Sequence, residues 1–126
     1  GREDRIQLLG NVPYGDLPDI LAAADAFVSA SASEVYPLVF MEAAASGLPL
    51  FGVHSPGTAD IVRPGVNGHL AADAGGLKKL VATGAADPAA LAELGRSAQK
   101  DAARFDVGEK AARLVELYEK ARTSRT

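Results

Sequence analysis

Residues 34–50 read EVYPLVFMEAAASGLPL, and this stretch predicts the fold class of the chain. It begins as a loop, continues as an apolar helix from Pro37, and reaches Gly47 just before a second apolar run. Proline is tolerated in the first turn of a helix because its missing N–H is not needed there, and glycine commonly ends a helix. A loop, a buried helix, a tight stop and a buried strand in this order are typical of α/β proteins.

Two carboxylates, Glu34 and Glu42, stand eight positions apart in this stretch. Glu42 is the only charged side chain of an otherwise apolar helix. Glutamate is rarely buried unless something pairs with it, so Glu42 needs a partner. A ligand or a structural ion pair with an arginine would each supply one. Glu34 follows serines in a loop, where a glutamate is either a ligand-binding group, a solvated charge or a local cap.

Strand-like and helix-like segments alternate along the chain, which predicts a parallel α/β sheet. Strands are predicted at 6–10, 26–30, 50–53 and 70–71. Helices are predicted to start near Asp16, Pro37, Thr58, Asp73 and Pro88. A last amphipathic helix is predicted from the apolar stripe Val107, Ala111, Leu114, Val115 and Tyr118. Asn67-Gly68 is a sequence signal for a hairpin turn.

Composition excludes several classes of protein and site. The 126 residues fit one domain, and the net charge of −3 is spread without a basic stripe, so nucleic acid is not an expected partner. There is no cysteine and there are only two histidines, which argues against disulfides, a thiolate nucleophile and a metal centre. No apolar run approaches the roughly 18–20 residues of a membrane span. Since the polar residues 1–5 do not resemble a signal peptide, a cytoplasmic location is expected.

The start of the helix at Pro37 has the properties of an anion site. The first amides of a helix lack intrahelical acceptors and lie at the positive end of its dipole, so Leu38, Val39 and Phe40 could hold phosphate. Helical side chains lean toward the amino end, which directs Glu42 toward the same region. A carboxylate there suits sugar hydroxyls, which donate charge-assisted hydrogen bonds, better than it suits phosphate.

A set of ordered blocks in the sequence is similar to a known family. The blocks are 8–13, 17–18, 23–28, Ser31, 34–42, 47–49 and 57–62. They resemble the carboxy-terminal, donor-binding domain of retaining GT-B glycosyltransferases. That group includes mannosyl- and glucosyltransferases and enzymes like sucrose-phosphate synthase and glycogen synthase. The resemblance covers about residues 5–72 and implies part of a Rossmann-like, doubly wound parallel sheet, followed by carboxy-terminal helices at 73–126.

The resemblance implies a role for each residue of the candidate site. Glu42 would hold the ribose hydroxyls of a nucleotide sugar, and Glu34 would be the catalytic residue that contacts the donor hexose near its reacting carbon. The backbone amides of Leu38 and Val39 would bind the diphosphate, and the backbone at Val12 would lie beside the base. No metal ion held by the protein and no cofactor are implied. The rate would come from stabilising the leaving diphosphate and an oxocarbenium-like sugar.

Tyr36-Pro37 departs from the family pattern, which often has an aromatic residue followed by glycine. We interpret this pair as a variant of the hexose pocket. The expected function is transfer of a hexose from a UDP or GDP sugar to an acceptor with retention. The alternative is a non-catalytic nucleotide-binding or scaffold module built on the same half-fold. A dinucleotide-binding half-domain is a weaker interpretation because the chain has no Gly-x-Gly-x-x-Gly run.

The resemblance begins part-way into the family's domain, so residues 1–126 are expected to be an incomplete donor-binding domain. Two strands, a basic pair that neutralises the diphosphate, and the amino-terminal acceptor domain would be missing partners. Without them the fragment is expected to be inactive. In the doubly wound order 3-2-1-4-5-6, the strands at 6–10 and 26–30 would be numbers three and four and would not be neighbours. Direct pairing of these two strands is the alternative, and unpaired sheet edges could lead to oligomers.

Overall fold

The computed structural model describes residues 3–124 and contains a three-stranded parallel sheet. The strands are β1 Phe27–Ser29, β2 Leu50–Val53 and β3 Gly68–Ala71, in the spatial order β1-β2-β3. The register aligns Phe27 with Leu50, and Leu50 with Gly68. The predicted α/β class with a parallel sheet and a helical tail is therefore confirmed.

Helices connect the strands and follow the last of them. The α-helices are α1 Leu17–Ala22, α2 Leu38–Ala45, α3 Pro56–Ile61, α4 Ala74–Ala86, α5 Pro88–Asp101 and α6 Val107–Thr123. Short 3-10 turns occur at Glu3–Arg5, Tyr14–Asp16 and Ala102–Phe105. Aspartate caps explain where α4, α5 and α6 start, because Asp73, Asp87 and Asp106 each accept a hydrogen bond from a first-turn amide.

Helices pack against both faces of the sheet, and the side chains of β2 alternate between the two cores. All four residues of β2 are buried. Leu50 belongs to one core, whose buried members are Leu21, Phe40, Ala43, Ala44, Leu48, Leu50, Ile61, Val62 and Ala98. The other core contains Phe51, Val53, Ala71 and Leu77. A parallel strand covered on both faces reads as a continuous apolar run, which is why β2 was predictable.

Helix α2 is held against β1 by one aromatic contact. The rings of Phe40 and Phe27 meet edge to face, with 4.9 Å between their centroids and an interplanar angle of 72°. Phe40 is completely buried. At the other end of α2, Gly47 has a φ of +82°, a left-handed conformation that few residues except glycine adopt readily. These two features fix where α2 lies and where it ends.

The predicted hairpin turn at Asn67-Gly68 is wrong, because β2 and β3 run parallel and a hairpin joins antiparallel strands. Asn67 is instead a completely buried structural residue. Its side-chain oxygen accepts from the Arg63 amide at 2.7 Å, and its side-chain nitrogen donates at 2.8 Å to both the Ile61 carbonyl and Asp101. The asparagine thus ties the loop before β3 to the end of α5.

The strand predicted at 6–10 is also wrong, since this segment is irregular and exposed. Ile6 is 66% exposed and Leu8 94% exposed. A strand needs a neighbour for its backbone hydrogen bonds, and within residues 3–124 no strand pairs with this segment. The alternative of direct pairing with β1 is excluded. The prediction that further strands lie between them stays a prediction. Gly1 and Arg2, which belong to the predicted polar start, lie outside the described residues.

The final helix α6 forms where its apolar stripe predicted it, but no described residue is buried on it. Leu114, Val115 and Tyr118 are each more than half exposed. The apolar stripe therefore predicted the helix correctly, but its side chains do not pack into a core. None of the helices formed by residues 3–124 is long and apolar enough to cross a membrane.

We expect Asn67→Ala to lower the free energy of unfolding by about 2 kcal/mol, because the amide of Arg63 loses its acceptor and a small cavity opens. Urea denaturation of the purified protein measures the change. Asn11→Ala is the matched control, since Asn11 is exposed and substitutions at such sites shift stability by less than about 0.5 kcal/mol. Equal midpoints for the two variants would contradict the structural role of Asn67.

Candidate functional site

The candidate site lies where the parallel strands end. The loop after β1 carries Glu34 and leads into α2, and Ser55 follows β2 and caps α3. Two hydrogen bonds join the loops: the Gly57 amide donates to the Glu34 carbonyl at 3.1 Å, and the Ser55 hydroxyl donates to the same carbonyl at 3.2 Å. The carboxyl edge of a doubly wound parallel sheet is where such folds bind ligands.

Helix α3 begins at Pro56 with a capping box whose first member is Ser55, so the predicted helix start near Thr58 is corrected to a cap at Ser55. The Ser55 side chain accepts from the Thr58 amide, and the Thr58 hydroxyl accepts from the Ser55 amide at 2.8 Å. The Thr58 hydroxyl also donates to the Val53 carbonyl at 2.9 Å. These buried bonds fix the turn that holds the Glu34 loop.

Gly57 allows the Glu34 loop to approach α3 closely. A Cβ at this position would lie 2.4 Å from the Glu34 carbonyl oxygen and 2.5 Å from the Val35 carbonyl group. Atoms do not approach that closely, so any side chain at position 57 would displace the loop. The sequence suggested only a turn at Gly57, since nothing local indicates that residues 34 and 35 pack on it.

The Glu34 side chain is half-buried, and within residues 3–124 its carboxylate makes no hydrogen bond or ion pair. Only its carbonyl is bound by neighbouring residues. The alternative interpretation as a local cap is therefore excluded. The carboxylate is available at the carboxyl edge of the sheet.

The amino end of α2 offers two free amides. Within the described part of the chain, the backbone N–H groups of Leu38 and Val39 have no acceptor, whereas the Phe40 amide donates to the Pro37 carbonyl at 3.1 Å. The expectation of a third free amide at Phe40 is wrong, because the first turn closes on Pro37. Pro37 itself is buried at the N-cap position.

The partner of Glu42 is Tyr14, whose hydroxyl donates to Oε1 of Glu42 at 2.5 Å. None of the ion pairs among residues 3–124 involves Glu42, so the arginine alternative is excluded. The hydrogen bond and the nearby negative charge both raise the pKa of Tyr14. Tyr14 was missed because a tyrosine in a polar loop carries no local signal of a contact 28 positions away.

Glu42 and Tyr14 line a cleft of about 240 Å³ between α1 and α2. Its lining residues are Tyr14, Leu17, Pro18, Leu21, Glu42, Ala45 and Ser46. Val12 lies two positions before Tyr14 in the sequence and is not among the residues that line this cleft. Two larger cavities, of about 420 and 370 Å³, surround Phe51 and contain none of the predicted site residues.

Tyr36 is contacted by the tail of the chain. The Lys110 ammonium on α6 donates to the Tyr36 hydroxyl at 2.9 Å and also lies 5.7 Å from the centre of the Tyr36 ring. The structure thus places a cation beside the loop that separates Glu34 from α2, which the sequence did not predict. No hydrogen bond joins the side chains of Glu34 and Glu42 in the described residues.

Metal-ligating side chains are not clustered in this part of the molecule. No group of three His, Cys, Asp or Glu residues within 3–124 is arranged to hold a metal ion. His54 is exposed directly after β2, and His69 lies on β3 with its ring 6.1 Å from that of Phe51. The two histidines are therefore on separate elements.

Similar proteins are known both as sequences and as structures. The chain is 37% identical over 124 residues to D-inositol 3-phosphate glycosyltransferase of Thermobispora bispora, an alignment covering 96% of this chain and 29% of that protein. It also superimposes on Anabaena Alr3699/HepE in complex with UDP, with a TM-score of 0.85, 28% identity, and coverage of 94% of this chain and 33% of that one.

A second solved structure superimposes on the chain equally well. Sucrose-phosphate synthase from Thermosynechococcus elongatus superimposes with a TM-score of 0.86 and 27% identity, over 96% of this chain and 31% of that one. The chain spans only 13 to 29% of the length of the first three curated relatives it matches.

The family model for glycosyl transferases group 1 matches residues 1–101, which include every residue of the candidate site. The predicted resemblance to GT-B glycosyltransferases is confirmed by this match and by the two structures. The chain belongs to the glycosyl transferases group 1 family.

Proposed function

We propose that this chain is the donor-binding side of a glycosyltransferase that moves a hexose from a nucleoside diphosphate sugar to an acceptor with retention of configuration. The observation that carries the proposal is the pairing of an acidic cleft with free amides on one helix. Glu42 lines the cleft, and α2 begins with the unbonded amides of Leu38 and Val39. The UDP complex of the similar Anabaena protein supports a nucleotide ligand.

The diphosphate is assigned to the start of α2. Two N–H groups that have no acceptor within residues 3–124 lie at the positive end of a helix dipole, which favours an anion. No existing hydrogen bond has to break for them to bind it. Leu38 and Val39 contribute through their backbone, so their apolar side chains are no obstacle. Pro37 has no N–H to give and instead sets the direction of the first turn.

The ribose is assigned to Glu42. Its Oε1 is bound by Tyr14, and Oε2 makes no hydrogen bond within the described residues. The free carboxylate oxygen can accept a hydrogen bond from a sugar hydroxyl. Because the acceptor is charged, this bond is stronger than one to a neutral acceptor. The backbone at Val12, two positions before Tyr14 in the sequence, is assigned to the base.

The hexose and the chemical step are assigned to the Glu34 side. A carboxylate near the anomeric carbon stabilises the positive charge that develops when the bond to the diphosphate breaks. Tyr36 and Pro37 would shape the pocket around the sugar ring. The proposal includes no metal ion held by this chain, because the assigned roles are met by amides and carboxylates.

We expect Glu42→Ala in the full-length protein to weaken binding of the donor nucleotide by about 10- to 100-fold, the loss of one or two charge-assisted hydrogen bonds. Isothermal titration calorimetry with UDP, GDP and ADP measures it. Glu93→Ala removes an exposed glutamate from α5 and should leave the dissociation constant unchanged. Wild-type affinity in the Glu42 variant would overturn the assignment of this cleft to the ribose.

Glu34→Ala should lower kcat by about 10- to 1,000-fold while changing the dissociation constant of the nucleoside diphosphate little, because this carboxylate acts on the sugar during reaction. Steady-state kinetics and calorimetry on the full-length protein separate the two quantities. Unchanged kinetics in this variant would refute the catalytic assignment. Absence of transfer by the wild type with a panel of nucleotide sugars would favour a non-catalytic module.

Gly57→Ala should reproduce much of the kcat loss of Glu34→Ala, since its new methyl group would push the loop at residues 34 and 35 away from α3. The same kinetic assay measures the loss. Gly15→Ala is the control, because a Cβ there meets nothing within 4 Å. A Gly57 variant with wild-type kcat and stability would mean that the loop is not held where the proposal needs it.

A further inference from the structure

The hydrogen bond between Tyr14 and Glu42 connects the two walls of the cleft. Among residues 3–124 it is the only hydrogen bond that joins the wall formed by α1 and its preceding turn to the wall formed by α2. The other lining residues on the α1 side are apolar or proline, namely Leu17, Pro18 and Leu21. The orientation of the Glu42 carboxyl group is therefore set from the opposite wall by one hydroxyl.

The backbone of Tyr14 belongs to a hydrogen-bonded turn. It opens the 3-10 turn Tyr14–Asp16, in which the Asp16 amide donates to the Pro13 carbonyl at 3.0 Å and the Leu17 amide donates to the Tyr14 carbonyl. Pro13 restricts the chain immediately before the turn. The ring is 77% exposed, so the hydroxyl reaches Glu42 from the rim of the cleft and is not packed into a core.

We propose that Tyr14 is a positioning residue that binds one oxygen of Glu42 and thereby presents the other to the vicinal hydroxyls of a ribose. This inference rests on the proposed function and deepens it, because it names the residue that makes the cleft selective for ribonucleotides over 2′-deoxyribonucleotides. A carboxylate free to rotate would lose orientation entropy on binding a diol, and one fixed in advance does not.

The protonation state of Tyr14 is consistent with this role. Glu42 raises the pKa of Tyr14 through the hydrogen bond and, to a smaller extent, through its charge. A raised pKa means that the phenol stays a donor throughout the neutral range, and the bond is lost only at a higher pH than that at which an ordinary tyrosine ionises. Among residues 3–124, Tyr14 and Glu42 are the only charged or titratable side chains that line this cleft.

The test is Tyr14→Phe in the full-length protein, titrated by calorimetry with UDP, GDP and ADP and with the 2′-deoxy form of whichever binds. We expect the ribonucleotide to bind about fivefold more weakly, and the deoxynucleotide to be affected much less. The ratio of the two affinities should therefore fall. Tyr118→Phe, at an exposed tyrosine on α6, is the control and should change neither value.

The double variant Tyr14→Phe/Glu42→Ala gives the second readout. If Tyr14 acts through Glu42, the double variant should bind no more weakly than Glu42→Ala alone. Additive losses, or a Tyr14→Phe variant with unchanged or improved ribonucleotide affinity while Glu42→Ala weakens it, would overturn the inference and leave the proposed function standing. A Glu42→Ala variant with wild-type affinity would overturn the proposed function itself.

An ultraviolet difference titration tests whether Tyr14 is bonded to Glu42 in solution. The wild type minus Tyr14→Phe difference isolates one tyrosine, which should ionise at higher pH than an ordinary tyrosine and return toward the ordinary value in Glu42→Ala. The same ionisation in both backgrounds would show that Tyr14 does not bind Glu42 in solution and would refute the inference. Thermal unfolding of each variant checks that the phenyl ring leaves the fold intact.

Discussion

The structure depends on the burial of β2 from both sides. Its four residues are covered by two separate cores, Leu50 on one face and Phe51 and Val53 on the other. A strand in this position needs a neighbour on each edge, because its backbone groups have no water to bind. Both neighbours of β2 are parallel to it, and helical crossovers connect them. The crossovers in turn bring the starts of α2 and α3 to one edge of the sheet. The site is thus a consequence of the way the central strand is buried.

The groups without a hydrogen-bond partner near that edge, among residues 3–124, are the ones that the proposed function assigns to a nucleotide sugar. Secondary structure satisfies nearly all backbone groups, so the free amides of Leu38 and Val39 stand out beside the carboxylates of Glu34 and Glu42. Amides attract phosphate, and carboxylates attract hydroxyls. In the proposed function, the amides therefore bind the diphosphate and the carboxylates bind the sugar hydroxyls. Tyr14 and Gly57 act one step away, since the first holds the Glu42 side chain and the second admits the Glu34 loop.

The sequence predicted the parts of the structure that local patterns determine. The apolar run at 50–53, the stop at Gly47 and the starts near Asp73 and Pro88 all depend on neighbouring residues, and the structure agrees. The wrong and missed predictions involve contacts between residues that are far apart in the sequence. Asn67 resembles a turn residue but bonds to Asp101, and the 6–10 segment has strand composition without a strand beside it. Tyr14 and Gly57 matter through contacts 28 and 23 positions away, which periodicity does not report. The family resemblance assigned roles to both glutamates but identified neither of these supports.

At position 34, the described residues form hydrogen bonds with the main chain and none with the side chain. Both bonds that anchor this loop end on the carbonyl oxygen, which every amino acid possesses. These two hydrogen bonds therefore do not depend on which side chain stands at position 34. Replacing this side chain would leave both of those bonds in place, so the chemical group presented at the edge of the sheet can change without loss of the hydrogen bonds that hold the loop.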